Sequence, residues 1–185
     1  MTRAVLVPSA LVLLPEYAGL EDPVPELRAA CLGAVTELVA EGPVSVGAVA
    51  APARPDNVAR GVDTPAGLRV ARHLLSQVGW VGTVVAPAPG VPLLVVGNGT
   101  ASRTEKAPGH LDPRAAGFDA ALRAALVGRD TAALRALDER LAEELWCYDV
   151  PAFAALAEVL PGGPPAEVHY DEDPFGVQYW VLTWR

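Results

Sequence analysis

The sequence predicts a single three-layer α/β domain, with helices on both faces of a mainly parallel central sheet. Four short runs rich in Val, Leu and Ala are bounded by Gly or Pro, which is typical of strands buried on both faces. Helical spacing of apolar residues separates the first three runs. A strand–helix–strand order requires right-handed crossovers between parallel strands. Because no internal repeat or linker interrupts the sequence, we expect residues 1–185 to form one domain.

The first half of the chain alternates predicted strands with predicted helices. We expect the strands at residues 4–7, 44–51, 80–86 and 93–96. The two intervening helices are predicted from apolar residues at helical spacing, which are Leu27, Cys31, Ala34 and Leu38 in one and Leu68, Ala71, Leu75 and Val78 in the other. Thr64 and Pro65 are a typical start signal for the second helix.

The second half is predicted to be more helical and to end in a β-hairpin. A short helix is expected at residues 151–160, and strands at 167–170 and 177–183 are joined by an acidic turn. Before them lie two apolar stripes, the second capped by Asp130: Phe118, Ala121, Leu122, Ala125 and Leu126, then Leu134, Leu137, Leu141 and Leu145. Pairs four residues apart, Arg135–Glu139 and Arg140–Glu144, predict surface salt bridges.

Composition excludes several classes of partner. The net charge of −8 argues against nucleic acid or an anionic membrane as a partner. Residues 4–14 are apolar, but Pro8 interrupts them and no run reaches transmembrane length, so we expect a cytoplasmic protein without a membrane partner. Cys31 and Cys147 belong to no CxxC motif and have no His at ligand spacing. We expect both to be reduced and buried.

A polar, glycine-rich segment at residues 97–114 follows the fourth predicted strand, where α/β folds normally keep their binding sites. Asp112 can cap the next helix and Pro113 can begin it. Cations and glycine backbone here could bind a small anionic ligand, although an ordinary surface loop with a Glu105 salt bridge is an equal alternative. The candidate ligand-binding residues are Ser9, Asn98, Thr100, Ser102, Arg103, Lys106 and His110.

Other reactive side chains give weaker signals. His110 with Asp112 and His169 with Asp171 are spaced so that each pair shares one face of an extended chain, as ligands of Fe, Mn or Zn can. Asp112 has a structural role as a helix cap, Asp171 lies in an acidic turn, and nothing in the sequence places the two pairs together, so we favour structural roles over a metal site. Ser9 follows the first predicted strand as a nucleophile could, but it has no GxSxG elbow around it.

Several segments together resemble one known family. Residues 7–16, Val-Pro-Ser-Ala-Leu-Val-Leu-Leu-Pro-Glu, are similar to a first-strand motif Pro-His-Pro-Pro followed by aliphatics, and residues 49–53 to a motif ending Ser-Pro-His. The segment from Gly97 is similar to Gly-Asp-Leu-Ser-His, with Phe118-Asp119 downstream. Residues 170–179 resemble Tyr-Glu-Gly-Pro-Phe-Gly-Val-Gly-Tyr. These motifs are those of the class III extradiol dioxygenases, the family of the protocatechuate 4,5-dioxygenase β subunit.

This resemblance implies a three-layer fold and also implies that the family's chemistry is lost. Extradiol cleavage uses Fe(II) held by two histidines and a carboxylate, and a further histidine that moves a proton. The resemblance puts the two metal histidines on Ser9 and Ala53, the acid/base histidine on Ala101, a family tyrosine on His110, and the glutamate of a Glu-Cys-Gly motif on Trp146. Serine, alanine and tryptophan cannot hold the metal, and Ala101 cannot move the proton.

The expected function is therefore that of a degenerate relative, a ligand-binding or regulatory domain with no metal and no cofactor. One alternative is an active ring-cleaving dioxygenase or other oxidoreductase, with Fe(II) bound by relocated ligands that include His110 and His169. Another is a non-catalytic partner subunit whose site is completed by another chain. The first expected partner is a small molecule, for which an anion is the candidate. The second is either a further copy of this chain or a catalytic subunit.

Overall fold

The computed structural model describes residues 3–17, 19–160 and 162–185, which form an α/β fold around one six-stranded mixed sheet. The strand order is β3-β2-β4-β1-β6-β5, and the first four strands are mutually parallel. Strands β6 and β5 continue the sheet in antiparallel pairing. The strands are β1 Ala4–Val7, β2 Ser45–Ala50, β3 Thr83–Val85, β4 Leu93–Val96, β5 Glu167–Glu172 and β6 Tyr179–Trp184.

Helices follow β1, β2 and β4, whereas β3 is connected to β4 without a helix. Two 3-10 turns, Leu11–Leu13 and Pro15–Tyr17, come directly after β1. The helices are α1 Pro25–Val39, α2 Pro55–Val58, α3 Ala66–Gln77, α4 Ala115–Gly128, α5 Thr131–Arg135, α6 Glu139–Glu144 and α7 Val150–Val159. No helix in the described ranges is long and apolar enough to cross a membrane.

Two hydrophobic cores lie on opposite faces of the sheet, and the alternation of strand side chains creates them. In β1, Val5 and Val7 pack into the core that α1 and α3 cover, whereas Ala4 and Leu6 pack into the core of α4 and α7. All four side chains are buried, so β1 reads as a continuous apolar run. The predicted three-layer arrangement follows from this division.

One predicted strand is much shorter and less buried than expected. The run at residues 80–86 forms only the three-residue edge strand β3, and its side chains are exposed or half-buried. Trp80 does not enter the strand, because its indole Nε1 donates to the carbonyl of Pro43 at 2.8 Å and its ring lies over Gly82. Pairing on one side only, with β2, leaves β3 partly open to solvent.

The second predicted helical stripe is divided into α5 and α6. Asp130 caps α5 as expected, since its carboxylate accepts from the Ala133 N–H at 2.9 Å. Asp138 makes the same bond to the Leu141 N–H and starts a new helix in the middle of the expected one. Of the two predicted i,i+4 pairs, only Arg140–Glu144 forms, at 3.4 Å, because Arg135 instead donates to Glu158 at 2.6 Å.

Two further boundaries differ from the expectation. Helix α4 begins at Ala115, because the Asp112 carboxylate binds the backbone N–H and guanidinium of Arg114 and so holds a turn before the helix. The predicted acidic turn begins later than expected, since Asp171 and Glu172 still pair within the β5–β6 hairpin. That hairpin adds to the main sheet through β1, which places residues 173–178 beside the segment at 97–114.

Candidate functional site

A cleft of about 710 Å³ lies beyond the carboxyl ends of the parallel strands. Three of its walls are the segments that leave β1, β2 and β4, represented by Ser9, Ala53 and Asn98. Open parallel sheets bind ligands in this crevice, because the connections to the following helices diverge there. The cleft therefore lies where the sequence predicted one.

Aromatic side chains line much of the cleft. Trp146 and Tyr148 lie side by side with their ring centroids 6.1 Å apart, and both Trp146 and Phe175 are 42% exposed at the rim. Tyr179 is buried, and burial raises the pKa of its hydroxyl to about 12, so that it remains a hydrogen-bond donor at neutral pH. The aromatic lining residues are Tyr17, Trp146, Tyr148, Phe175 and Tyr179.

The polar floor of the cleft is a hydrogen-bonded cluster of Ser9, Asn98 and Asp149. The Asp149 Oδ2 accepts from the Ser9 hydroxyl at 2.7 Å and from the Asn98 backbone N–H at 2.8 Å. The Asn98 Oδ1 in turn accepts from the Ser9 backbone N–H at 2.9 Å. Burial raises the pKa of Asp149 because it penalises the carboxylate, and the two hydrogen bonds to Oδ2 only partly offset that penalty.

Two arginines bring positive charge to the cleft wall. Arg69 forms an ion pair with Glu16, which neutralises it. Arg54 stacks on Tyr148, with its guanidinium carbon 4.0 Å from the ring centroid, and within the described ranges it pairs with no carboxylate. A stacked guanidinium keeps its N–H edge available for an acceptor group.

The structure places only two of the seven predicted ligand-binding residues, Ser9 and Asn98, on the cleft wall. The other five lie elsewhere in the segment at residues 97–114. Thr100 and Ser102 are fully buried, while Lys106 and His110 are exposed outside the cleft lining. The ligand-binding role of all seven residues stays a prediction, and these five do not line this cleft.

Internal hydrogen bonds explain why this segment faces the protein body. The Thr100 N–H and hydroxyl donate to Asp119 at 2.8 and 2.7 Å, and the Ser102 hydroxyl donates to the Leu145 carbonyl at 3.2 Å. Arg103 donates to Asp173 at 2.9 Å and lies 3.8 Å from Asp119. The Arg103 guanidinium therefore has two carboxyl groups of the protein as neighbours.

The four positions that the resemblance assigns to the family's metal ligands and proton-transfer histidine all line this one cleft. They are far apart in the sequence, at Ser9, Ala53, Ala101 and Trp146. His110, on which the family tyrosine falls, does not join them. Three of the four, Ser9, Ala53 and Ala101, follow the parallel strands β1, β2 and β4, whereas Trp146 comes from the segment after α6.

The donor groups of the cleft do not fit Fe(II). Asp149 supplies one carboxylate, and among the described lining residues no histidine accompanies it. His169 lies on β5, where its Nε2 is 2.9 Å from the Thr183 hydroxyl, and Asp171 pairs with Arg123. Across the described ranges, three or more His, Cys, Asp or Glu side chains do not gather in a group that could hold a metal ion.

No model of a known protein family matches this chain, and no curated protein matches it.

Two of the residues that shape the cleft were missed from the sequence. Arg54 follows β2 just as Asn98 follows β4, so the criterion of polar residues after parallel strands could have found it. Asp149 follows no strand and precedes an apolar helix, where an aspartate usually serves as a cap. Its hydrogen bonds to Ser9 and Asn98 are long-range contacts that the sequence pattern does not encode.

Proposed function

We propose that this protein is a catalytically degenerate member of the class III extradiol dioxygenase family that binds a small molecule in the cleft without iron. The observation that carries the proposal is the convergence of Ser9, Ala53, Ala101 and Trp146 on one cleft. Such convergence is expected if the motifs share an ancestry with the family, and serine, alanine and tryptophan supply none of the family's ligands. Folds often keep a cleft after its chemistry is lost.

The lining of the cleft favours a ligand with an aromatic or apolar body and an anionic group. The aromatic walls bury apolar surface, which contributes about 25 cal/mol for each Å² removed from water. Arg54 is the lining cation with no acidic partner among the described residues, and a charge-assisted hydrogen bond contributes about 1.5–3 kcal/mol. The proposed anion-binding group is thus Arg54 rather than Arg103 and Lys106.

Binding can be tested by calorimetry with three probes of one shape, namely benzoate, benzyl alcohol and benzylamine. We expect benzoate to bind most tightly, and Arg54→Ala to weaken it by about tenfold, which corresponds to 1.4 kcal/mol. Ala53→Trp should fill the cleft and abolish binding, whereas Ala120→Trp, on the exposed face of α4, should leave it unchanged. Equal benzoate affinities of the two tryptophan variants would show that benzoate does not bind in the cleft.

The absence of iron chemistry needs its own experiment. Protein titrated anaerobically with Fe(II) should form no tight one-to-one complex, and catechols should cause no oxygen uptake. Stoichiometric iron binding that is lost in His110→Ala or His169→Ala would overturn the proposal in favour of the oxidoreductase alternative. Iron bound at Asp149 would contradict the conclusion that the donor groups of the cleft do not fit Fe(II).

A further inference from the structure

Ser9 has the position and the partner of a nucleophile. It follows the buried strand β1 directly, it is half-buried on the cleft wall, and its hydroxyl donates to the Asp149 Oδ2 at 2.7 Å. A serine hydroxyl is weakly nucleophilic until an adjacent base accepts its proton. The hydrogen bond already points that proton at a carboxylate.

Asp149 has properties suited to a base. Because burial raises the pKa of this carboxyl group, its ionised form holds a proton more readily than an exposed aspartate does. The Asn98 backbone N–H fixes Oδ2 in place at 2.8 Å. Among the described residues both hydrogen-bond donors to this carboxylate, the Ser9 hydroxyl and the Asn98 backbone N–H, contact Oδ2.

Asn98 supplies a donor beside the nucleophile. Its side-chain oxygen is fixed by the Ser9 backbone N–H at 2.9 Å, so the atom facing the other way is the amide nitrogen Nδ2. No acceptor contacts Nδ2 within the described ranges, and Asn98 lines the cleft. A side-chain amide in this position can stabilise the oxyanion that forms when a carbonyl is attacked.

We infer that the Ser9–Asp149 pair, together with Asn98, makes the cleft competent for acyl transfer from small esters, an activity that rests on the proposed use of this cleft for ligand binding. The Ser9 Oγ attacks the ester carbonyl carbon while its proton passes to Asp149, and the Asn98 Nδ2 donates to the oxyanion. Collapse breaks the bond to the leaving oxygen, which takes the proton from Asp149. Water, deprotonated by the same carboxylate, then hydrolyses the acyl-serine and restores the hydroxyl.

The chemical class of substrate follows from the walls. Tyr148, Trp146 and Phe175 would contact an aromatic or apolar leaving group, and the reaction needs neither metal nor redox cofactor. Activated aryl esters match both requirements. We therefore use p-nitrophenyl acetate as the probe.

The test follows p-nitrophenol release and the mass of the protein. We expect an initial burst of p-nitrophenol and the addition of one acetyl group, mapped to Ser9. In Ser9→Ala the rate of p-nitrophenol release should fall at least about 100-fold, toward the uncatalysed rate. Asp149→Asn should slow acetylation by about 100-fold without abolishing it. Ser76→Ala, an exposed serine on α3, is the matched control and should behave as the unaltered protein.

Ser9→Ala removes only one oxygen atom, and we therefore expect the variant to fold. The thermal midpoint and the benzoate affinity of the variant verify this. A folded Ser9→Ala variant with unchanged ester hydrolysis would overturn the inference, as would acetylation mapped to another residue. If benzoate binds and Ala53→Trp blocks it while no acyl transfer occurs, the acyl-transfer inference fails and the binding proposal stands. If acetylation occurs at Ser9 but no probe binds, the binding proposal fails alone.

Discussion

Asp119 is a buried carboxyl group that stabilises the segment after β4. Only 3% of this residue is exposed, and its two oxygens satisfy both the N–H and the hydroxyl of Thr100, which is itself fully buried. Without the carboxylate, two buried donors would lose their acceptor, and a buried unsatisfied group costs about 1–3 kcal/mol. The role of Asp119 is therefore to satisfy buried polar groups of the loop.

We expect Asp119→Ala to lower the free energy of unfolding by about 2–4 kcal/mol, because both Thr100 donors are left buried without an acceptor. Urea denaturation monitored by tryptophan fluorescence measures the change. Asp63→Ala is the matched control, since Asp63 is exposed and should change stability by less than about 0.5 kcal/mol. Equal effects of the two substitutions would contradict the assigned role.

Asp119 should also give stability a specific pH dependence. Burial raises its pKa above the ordinary value of 3.8, although the Thr100 hydrogen bonds and Arg103 oppose the shift. The folded protein then binds this proton more tightly than the unfolded chain, so the contribution to stability decreases as pH rises from about 4 through the raised pKa. Asp119→Asn has no such proton.

The measurement is the unfolding free energy of Asp119→Asn relative to the unaltered protein between about pH 4 and about pH 7. The variant should gain relative stability as pH rises. Asp112 has the opposite effect on the pH dependence of stability, and at lower pH, because hydrogen bonds from Arg114 lower the pKa of its carboxyl group to about 2. A relative stability that is constant with pH would rule out the inferred shift.

At the residue scale, the sequence predicts the edge of the sheet where the cleft lies better than it predicts which side chains line the cleft. Ser9 and Asn98 were found because polar residues after parallel strands share one edge of the sheet. Arg103 and Lys106 were chosen for their charge, but side-chain charge does not reveal that Asp173 and Asp119 already balance Arg103. That balance depends on the hairpin, which is distant in sequence.

Two helical glycines allow helix propensity to be separated from packing. Gly33 is exposed in α1, and a Cβ added there would contact nothing within 4 Å. Gly67, in the first turn of α3, lies against β2, where an added Cβ would be 2.7 Å from the Cβ of Ala50. The same substitution therefore has opposite consequences in the two helices.

We expect Gly33→Ala to raise the free energy of unfolding by about 0.5–1 kcal/mol, because alanine loses less backbone entropy in a helix. Gly67→Ala should lower it by about 1–3 kcal/mol, because α3 must move away from the sheet. Denaturant midpoints of the two variants measure whether each substitution raises or lowers the free energy of unfolding. Stabilisation by Gly67→Ala would show that α3 does not approach β2 this closely.

The elements that were predicted well are those whose local pattern agrees with their packing. Helix α1 buries Leu27, Cys31, Ala34 and Leu38 as the periodicity indicated. The predicted length of the edge strand β3 is too long, because a Val-rich composition is the same in a central strand and in an edge strand. The break between α5 and α6 depends on Asp138 acting as a cap, and an aspartate within an apolar stripe gives little warning of that.

At the scale of the whole molecule, the sheet separates the two cysteines. Cys31 belongs to the core covered by α1, and Cys147 belongs to the core on the opposite face. Both are free and buried, as predicted. Burial raises the pKa of Cys31 to about 12 and raises that of Cys147 further, so neither forms a reactive thiolate at neutral pH.

We expect native protein to react slowly with a thiol reagent such as dithionitrobenzoate, and denatured, unreduced protein to yield two free thiols at once. Because the cysteines lie in different cores, their native reaction rates report the opening of two separate faces. Gly67→Ala, which disturbs the α1–α3 face, should accelerate Cys31 more than Cys147. Rapid modification of both thiols in the native state would contradict their burial.

The pairing of β1 with β6 has a consequence for the order in which the protein can fold. Ala4 lies opposite Trp184, so nearly all 185 residues must leave the ribosome before β1 gains its neighbour on that side. Until then, a strand of four buried aliphatic residues presents an unpaired edge to solvent or to a chaperone. Contacts of such wide sequence separation make folding slow. The nascent chain is therefore most vulnerable to aggregation just before synthesis reaches β6.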